Sequence, residues 1–237
     1  MDKLILKTKY PDGTSLEVVY DNNVYKWKVG GMSHMEKSTL TLKKTDKCGW
    51  GTKILDNLSK KENAEVLIAG LGFGHTVETL KRAAGIKVDV VEINKDAVDF
   101  YKKNYKNKTI ADNIYINDFK NYIEDTNKKY DVIFMQLDFY GFELPKDHHL
   151  YSLCVKSNIE MYNKIFFRKI YDRLKPNGYF LIDCLCTDGD TKLRDMLNDI
   201  GYNVSEKRVL GPNRLGKLTP SSLIDGVYYL TIDAKKC

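Results

Sequence analysis

No apolar run in this chain approaches the roughly 20 residues that a bilayer-crossing helix needs, so no membrane partner is expected. At the front, "MDKLILKTKYPDG", Lys7 and Lys9 break up any signal-peptide core, and the sequence predicts a cytoplasmic protein. Cysteine is sparse. Of five, Cys48, Cys154 and Cys237 are isolated, and Cys184 and Cys186 lie two apart in the strand-like "FLIDCLC". They form no C-x-x-C pair and have no companion set of Cys and His, so neither a metal centre nor a redox centre is expected. The glycine-rich segment is not followed by Gly-Lys-Ser/Thr, which removes a P-loop. There is no internal repeat and no low-complexity tract. The net charge is +6 and the pI about 8.8, but the lysines are scattered among acids rather than gathered into a stripe. That pattern reads as a solvated surface and disfavours a nucleic-acid partner.

What is present is an ordinary globular composition: 237 residues, 43% hydrophobic and 30% charged. Residues 1–50 open with a β-meander, "LILKTKY", "LEVVYD" and "VYKWKV", punctuated by Asp-Gly and Asn-Asn hairpin signals. From Ala64 strands and helices alternate. "AEVLIAG", "KVDVVEIN", "NIYIND", "YDVIFMQL" and "YFLIDCLC" are buried-type strands separated by amphipathic helices, among them "TVETLKRAAG" closed by Gly85 and a long one over "NIEMYNKIFFRKIYDRL". "YNVSEKRVL" and "GVYYLTID" follow with only a loop between them, so the last strand should run antiparallel at or beside the sheet edge. The reading is an α/β, doubly wound, mostly parallel seven-stranded sheet over 51–237 with an antiparallel C-terminal strand, and a small N-terminal meander or cap over 1–50.

"VLIAGLGFGHTVETL" carries the strongest chemical signal. A buried strand runs into Gly70, Gly72 and Gly74, and a helix begins directly after. Glycines permit a sharp turn and close ligand approach, and the helix N-terminus favours negative charge. Glu92 ends the next strand, where doubly wound folds place a carboxylate on ribose hydroxyls; the alternative is an exposed strand-end acid. Asp118 ends the third strand and precedes Phe119. The G-x-G-x-G spacing, instead of G-x-G-x-x-G, disfavours a nicotinamide dinucleotide.

Taken together, these motifs with "INDFKNYI", "YDVIFMQLD" and "LKPNGYFL" resemble class I S-adenosylmethionine-dependent methyltransferases, and within them the spermidine-synthase-like branch, which carries a small β-domain in front. The resemblance spans about Ala64 to Asp233. It implies S-adenosylmethionine as cofactor, in its decarboxylated form if the chain is an aminopropyltransferase. Gly70, Gly72 and Gly74 would line the methionine part, Glu92 the ribose, Ile93 and Asp118 the adenine with Phe119 nearby, and Gln136 the reacting end. Two departures stand out. Aminopropyltransferases have an Asp where this chain has Phe73, and their acidic segment after the fourth strand reads "MQLDFYGFELP" here, with Gln136 at the first acidic position.

Methyl transfer is therefore the main expectation, to a small molecule or peptide side chain. Aminopropyl or aminocarboxypropyl transfer is the enzymatic alternative, and a non-catalytic cofactor-fold subunit the other. The long connection 137–157 is the expected acceptor site. Asp138 is the first choice of base or anchor, with Tyr140 and His148 beside it. Glu143, His149 and Tyr151 share the loop, and its aromatics serve either as an amine cage or as loop packing. Tyr25, Trp27 and Trp50 are expected to close over the site. A homodimer is left open.

Overall fold

The computed structural model describes residues 3–37, 40, 48–58, 61–83, 85–105, 110–140, 163–187, 192–210 and 227–236. The side chains of 32–36, 136–140, 183–187, 192, 206–210 and 227–233 lie outside that description. Two compact units divide the chain, Met1–Tyr122 and Ile123–Cys237. Its elements form a four-stranded sheet and a seven-stranded one.

The first unit opens with the meander: β1 (Lys3–Lys9), β2 (Ser15–Asp21), β3 (Val24–Val29) and β4 (Met32–Lys37), antiparallel in that order. Two of its hairpins are two-residue turns. Asn22 and Asn23 have φ of 48° and 63°, and Gly30 and Gly31 have 57° and 85°; these left-handed pairs match the twist of the flanking strands. The fourth strand adds to the three read from sequence, and Gly30-Gly31 was the signal for it. Leu16, Val18 and Trp27 face one core from adjacent strands, with Val18 directly opposite Trp27.

After the meander come α1 (Gly49–Asn57), β5 (Glu65–Ala69), α2 (His75–Arg82), β6 (Lys87–Glu92), α3 (Lys95–Asn104), β7 (Asn113–Ile116) and α4 (Phe119–Asp125). β5, β6 and β7 pair in parallel. Val66, Leu67, Ile68 and Ala69 are buried, as near-continuous apolar strands in a parallel sheet should be. Helix α1 approaches α2 through Gly51, where a Cβ would lie 2.5 Å from Thr79 Cβ. Helix α2 stops at Arg82, because Ala83 is already extended; Gly85, with φ +77°, turns the chain beyond the helix instead of closing it.

The second unit holds β8 (Tyr130–Tyr140), α5 (Lys164–Asp172), β9 (Leu174–Thr187), α6 (Lys192–Ile200), β10 (Tyr202–Leu210) and β11 (Val227–Lys236). Asn163 caps α5 by accepting from the Phe166 N–H at 2.8 Å, and Phe166, Phe167 and Ile170 form its buried stripe. Residues 158–162 of the expected longer helix lie outside the described residues. "KPNG" bulges within the strand pairing: β8 advances from Tyr130 to Val132 while β9 advances from Leu174 to Tyr179, with Asn177 at φ 59°. The seven-stranded order is β10-β11-β9-β8-β5-β6-β7, and β11 runs antiparallel to both neighbours, one strand in from the edge as expected. This is the doubly wound, mostly parallel sheet that the sequence predicts. Among the described residues no helix is long and apolar enough to cross a membrane.

Candidate cofactor site

Strand β5 delivers its chain into α2 through residues 70–74, and the turn uses left-handed backbone at every glycine. Gly70, Gly72 and Gly74 have φ of 85°, 50° and 76°, conformations that cost residues with a Cβ roughly 1–2 kcal/mol each. The Gly70 N–H donates to Val91 O and the Gly74 N–H to Leu71 O, both at 2.9 Å. At Gly74 a side chain is barred twice, since a Cβ would also lie 2.3 Å from the Tyr101 ring.

Glu92 closes this turn from β6. Its Oε2 accepts from the Leu71 N–H and its Oε1 from the Asn94 N–H, each at 2.9 Å, and the residue is only 5% exposed. Burial pushes its carboxyl pKa above the usual range, and backbone N–H donors from Asn94, Leu71 and Ile93 pull the other way. The sequence suggested a single task for Glu92, the ribose; the structure adds a clamp on the glycine turn. A carboxylate offers about four lone-pair positions, so with these three donors one remains for a ligand's hydroxyl.

Asn94 is the residue that sequence reasoning missed. It is buried, caps α3 by accepting from the Ala97 N–H at 3.0 Å, and donates through Nδ2 to Lys9 O at 3.0 Å. An Asn just before an amphipathic run was its signal. Asp118 is likewise a cap: its Oδ1 accepts from the N–H groups of Lys120 at 2.8 Å and Asn121 at 3.2 Å. Its second oxygen takes no hydrogen bond among the described residues. Phe119 is buried at 5% exposure and belongs to the core. Ile93 is 37% exposed and Ile116, paired opposite Glu92, is 49% exposed. Ile116, absent from the sequence reading, is the second apolar side chain at the carboxyl ends of β6 and β7.

Phe73 points into the core of the N-terminal sheet. It is 3% exposed and packs with Leu16, Val18, Trp27 and Ala97. Its neighbour His75 is stacked on it, with centroids 5.9 Å apart and planes 26° from parallel. The His75 Nε2 lies 2.9 Å from Leu40 O, while Nδ1 is buried and has no partner among the described residues. Burial lowers the His75 pKa, and against a carbonyl oxygen Nε2–H is the donor. Trp27, expected to close over the site, lies in this core instead; Trp50 is 7% exposed in α1, and Tyr25 packs partly buried against the same core.

Among the described residues, the side-chain groups left over at the strand ends around the turn include acceptors: a lone pair of Glu92 and one oxygen of Asp118. A ligand with ribose hydroxyls and an exocyclic amine fits that pair, and S-adenosylmethionine is such a ligand. On the acceptor side, Gln136, Asp138 and Tyr140 lie on the β8 backbone, and their side chains are outside the description. Phe142, Glu143, His148, His149 and Tyr151 lie outside the described residues.

Residues 43–136 match the family model described as methyltransferase small domain. The fold is similar to that of spermidine synthase from Thermotoga maritima, at 14% identity and a TM-score of 0.64, covering 99% of this chain and 73% of that one. It is similar to precorrin-6y C5,15-methyltransferase from Geobacter metallireducens GS-15, at 18% identity and TM-score 0.50, covering 83% and 93%. It is also similar to the M. jannaschii tRNA m1G37 methyltransferase, at 17% identity and TM-score 0.54, covering 93% and 56%. No curated protein matches the chain in sequence. The likeness to solved structures establishes the fold. Over its whole length the chain has a spermidine-synthase-like fold, and residues 43–136 match the methyltransferase model.

Proposed function

We propose that the chain methylates a small molecule or a peptide side chain, holding S-adenosylmethionine on the glycine turn. The observation that carries this is the Glu92 clamp: a buried carboxylate fixed between Leu71 and Asn94 with acceptor capacity to spare. In this reading the remaining lone pair of Glu92 takes a ribose hydroxyl. The second oxygen of Asp118 takes the adenine amine, and Ile93 and Ile116 cover the faces of the base. Gly70, Gly72 and Gly74 let the methionine part approach the backbone. When bound, the cofactor supplies an activated methyl group for in-line displacement, so most of the catalysis is positioning. Asp138 is the proposed base or anchor for the nucleophile, with Tyr140 and His148 as the other candidates.

Aminopropyl transfer is the second reading, favoured by the spermidine-synthase-like architecture. Against it stands Phe73: at the position where that chemistry places an aspartate, this chain spends a buried aromatic on packing. The small-molecule and tRNA methyltransferases among the similar structures leave the acceptor class as the finer part of the proposal.

The test is the thermal shift with S-adenosylmethionine for the original chain and Glu92→Ala. A shift lost in the variant supports the reading. Equal shifts would remove Glu92 from the site and favour a non-catalytic subunit.

A further inference from the structure

The N-terminal sheet is joined to the cofactor site by three independent sets of contacts, all within the first unit. Through packing, Phe73 leaves the middle of the glycine turn and enters the sheet's core, meeting Trp27 edge to face with centroids 5.4 Å apart. Through hydrogen bonds, Asn94 spans the same junction. Its backbone N–H holds Glu92 Oε1, its Oδ1 caps α3, and its Nδ2 donates to Lys9 O at the end of β1. One residue along, Thr8 Oγ1 donates to Asp96 Oδ2 at 2.5 Å. The third set is at Leu40, just beyond β4, whose carbonyl accepts from His75 Nε2 at 2.9 Å and from the Tyr105 hydroxyl at 2.7 Å. That hydroxyl also lies 2.6 Å from Phe73 O, on the turn itself.

We infer that the N-terminal sheet is a working part of the cofactor site, with Phe73 and Asn94 as positioning residues that couple sheet docking to cofactor binding. This rests on the proposed cofactor site and goes beyond it. The physical basis is that the turn has little freedom of its own. Its three glycines are the most permissive residues available, and left alone they would populate many conformations. The structure selects one by fixing the residue between the second and third glycines in an apolar core and by holding the facing carboxylate through Asn94. Undocking the sheet releases Phe73 and one of the three hydrogen-bond anchors of Asn94, so the turn and Glu92 lose their preset geometry together. Coupling of this kind is reciprocal: whatever sheet docking adds to cofactor affinity, cofactor adds to sheet docking.

The experiment is hydrogen exchange with mass-spectrometric readout on the full chain, with and without saturating S-adenosylhomocysteine, paired with calorimetric affinities for the original chain, Trp27→Ala and Asn94→Ser. Ser still caps α3 but cannot reach Lys9 O. The expected result is slower exchange in Lys3–Val29 as well as in residues 70–75 on binding, and affinity lower by about 5-fold or more in each variant. Melting of each variant measured without ligand separates a loss of fold from a loss of coupling, and exchange in the unmutated chain needs no variant at all. Binding that protects residues 70–75 but leaves Lys3–Val29 unchanged, with affinities in folded variants equal to the original, would overturn the inference and leave the proposed function standing. No binding to the original chain would take down both.

Discussion

Phe73 of the glycine turn meets Trp27 of strand β3 edge to face, 5.4 Å between ring centroids and 75° between planes. A residue of the glycine turn is thereby part of the core of another sheet. Replacing it with Asp, the residue that the polyamine synthases carry, should not create an aminopropyltransferase. It should cost at least the 3–5 kcal/mol typical of deleting a buried aromatic, because a carboxylate would replace the ring. Phe73→Leu should cost about 1–1.5 kcal/mol. Denaturant midpoints of both variants check the order.

Gly74 and Gly49 provide a matched pair. A Cβ at Gly74 meets the Tyr101 ring and sits on left-handed backbone, whereas at Gly49, at the front of α1, it meets nothing within 4 Å. Gly74→Ala should lose roughly 2–4 kcal/mol from strain and overpacking. Gly49→Ala should be neutral or stabilise by up to about 1 kcal/mol. Thermal melts of the two variants read the difference.

His75 predicts an acid sensitivity. Its folded pKa is lowered by burial, so below the ordinary histidine value of 6.5 the unfolded chain binds a proton that the folded chain does not. Stability should therefore fall as pH drops below about 6.5, by up to roughly 1.4 kcal/mol per pH unit for the one proton, and be flat with respect to this group above that. Melting curves between pH 5 and 7.5 should show this slope in the original chain and a shallower one in His75→Gln.

Asp118 has two separable jobs. Its Oδ1 caps α4, and its other oxygen is proposed to take the adenine amine. Asp118→Ser should keep the cap, with stability within about 0.5 kcal/mol of the original. It should also lose roughly 1.5–3 kcal/mol of cofactor binding, the range for a hydrogen bond to a charged group. Asp118→Ala should lose both. Equal affinities for the Ser variant and the original would remove Asp118 from the adenine.

The sheet was readable from sequence because buried parallel strands such as "VLIA" and "VDVV" are local apolar runs, and helices such as α3 repeat at helical spacing. The glycine turn and Glu92 were readable because strand ends recur at regular distances along the chain. What escaped were relationships between distant backbone groups. Nothing local marks the Leu71 N–H as the partner of Glu92, or Lys9 O as the partner of Asn94. Phe73 showed as a departure from a pattern, but its direction depends on a core shared with residues 16–29, and so Trp27 read as a lid when it is packing. Helix ends were misread at Gly85 because Ala83 leaves helical geometry first.

The central claim is that this turn, with Glu92 and Asp118, holds S-adenosylmethionine for methyl transfer. Isothermal titration of the original chain with S-adenosylmethionine and, separately, its decarboxylated form tests it most directly. The account predicts saturable binding of S-adenosylmethionine, tighter than that of the decarboxylated form. Tighter binding of the decarboxylated form, or no binding of either, would contradict it.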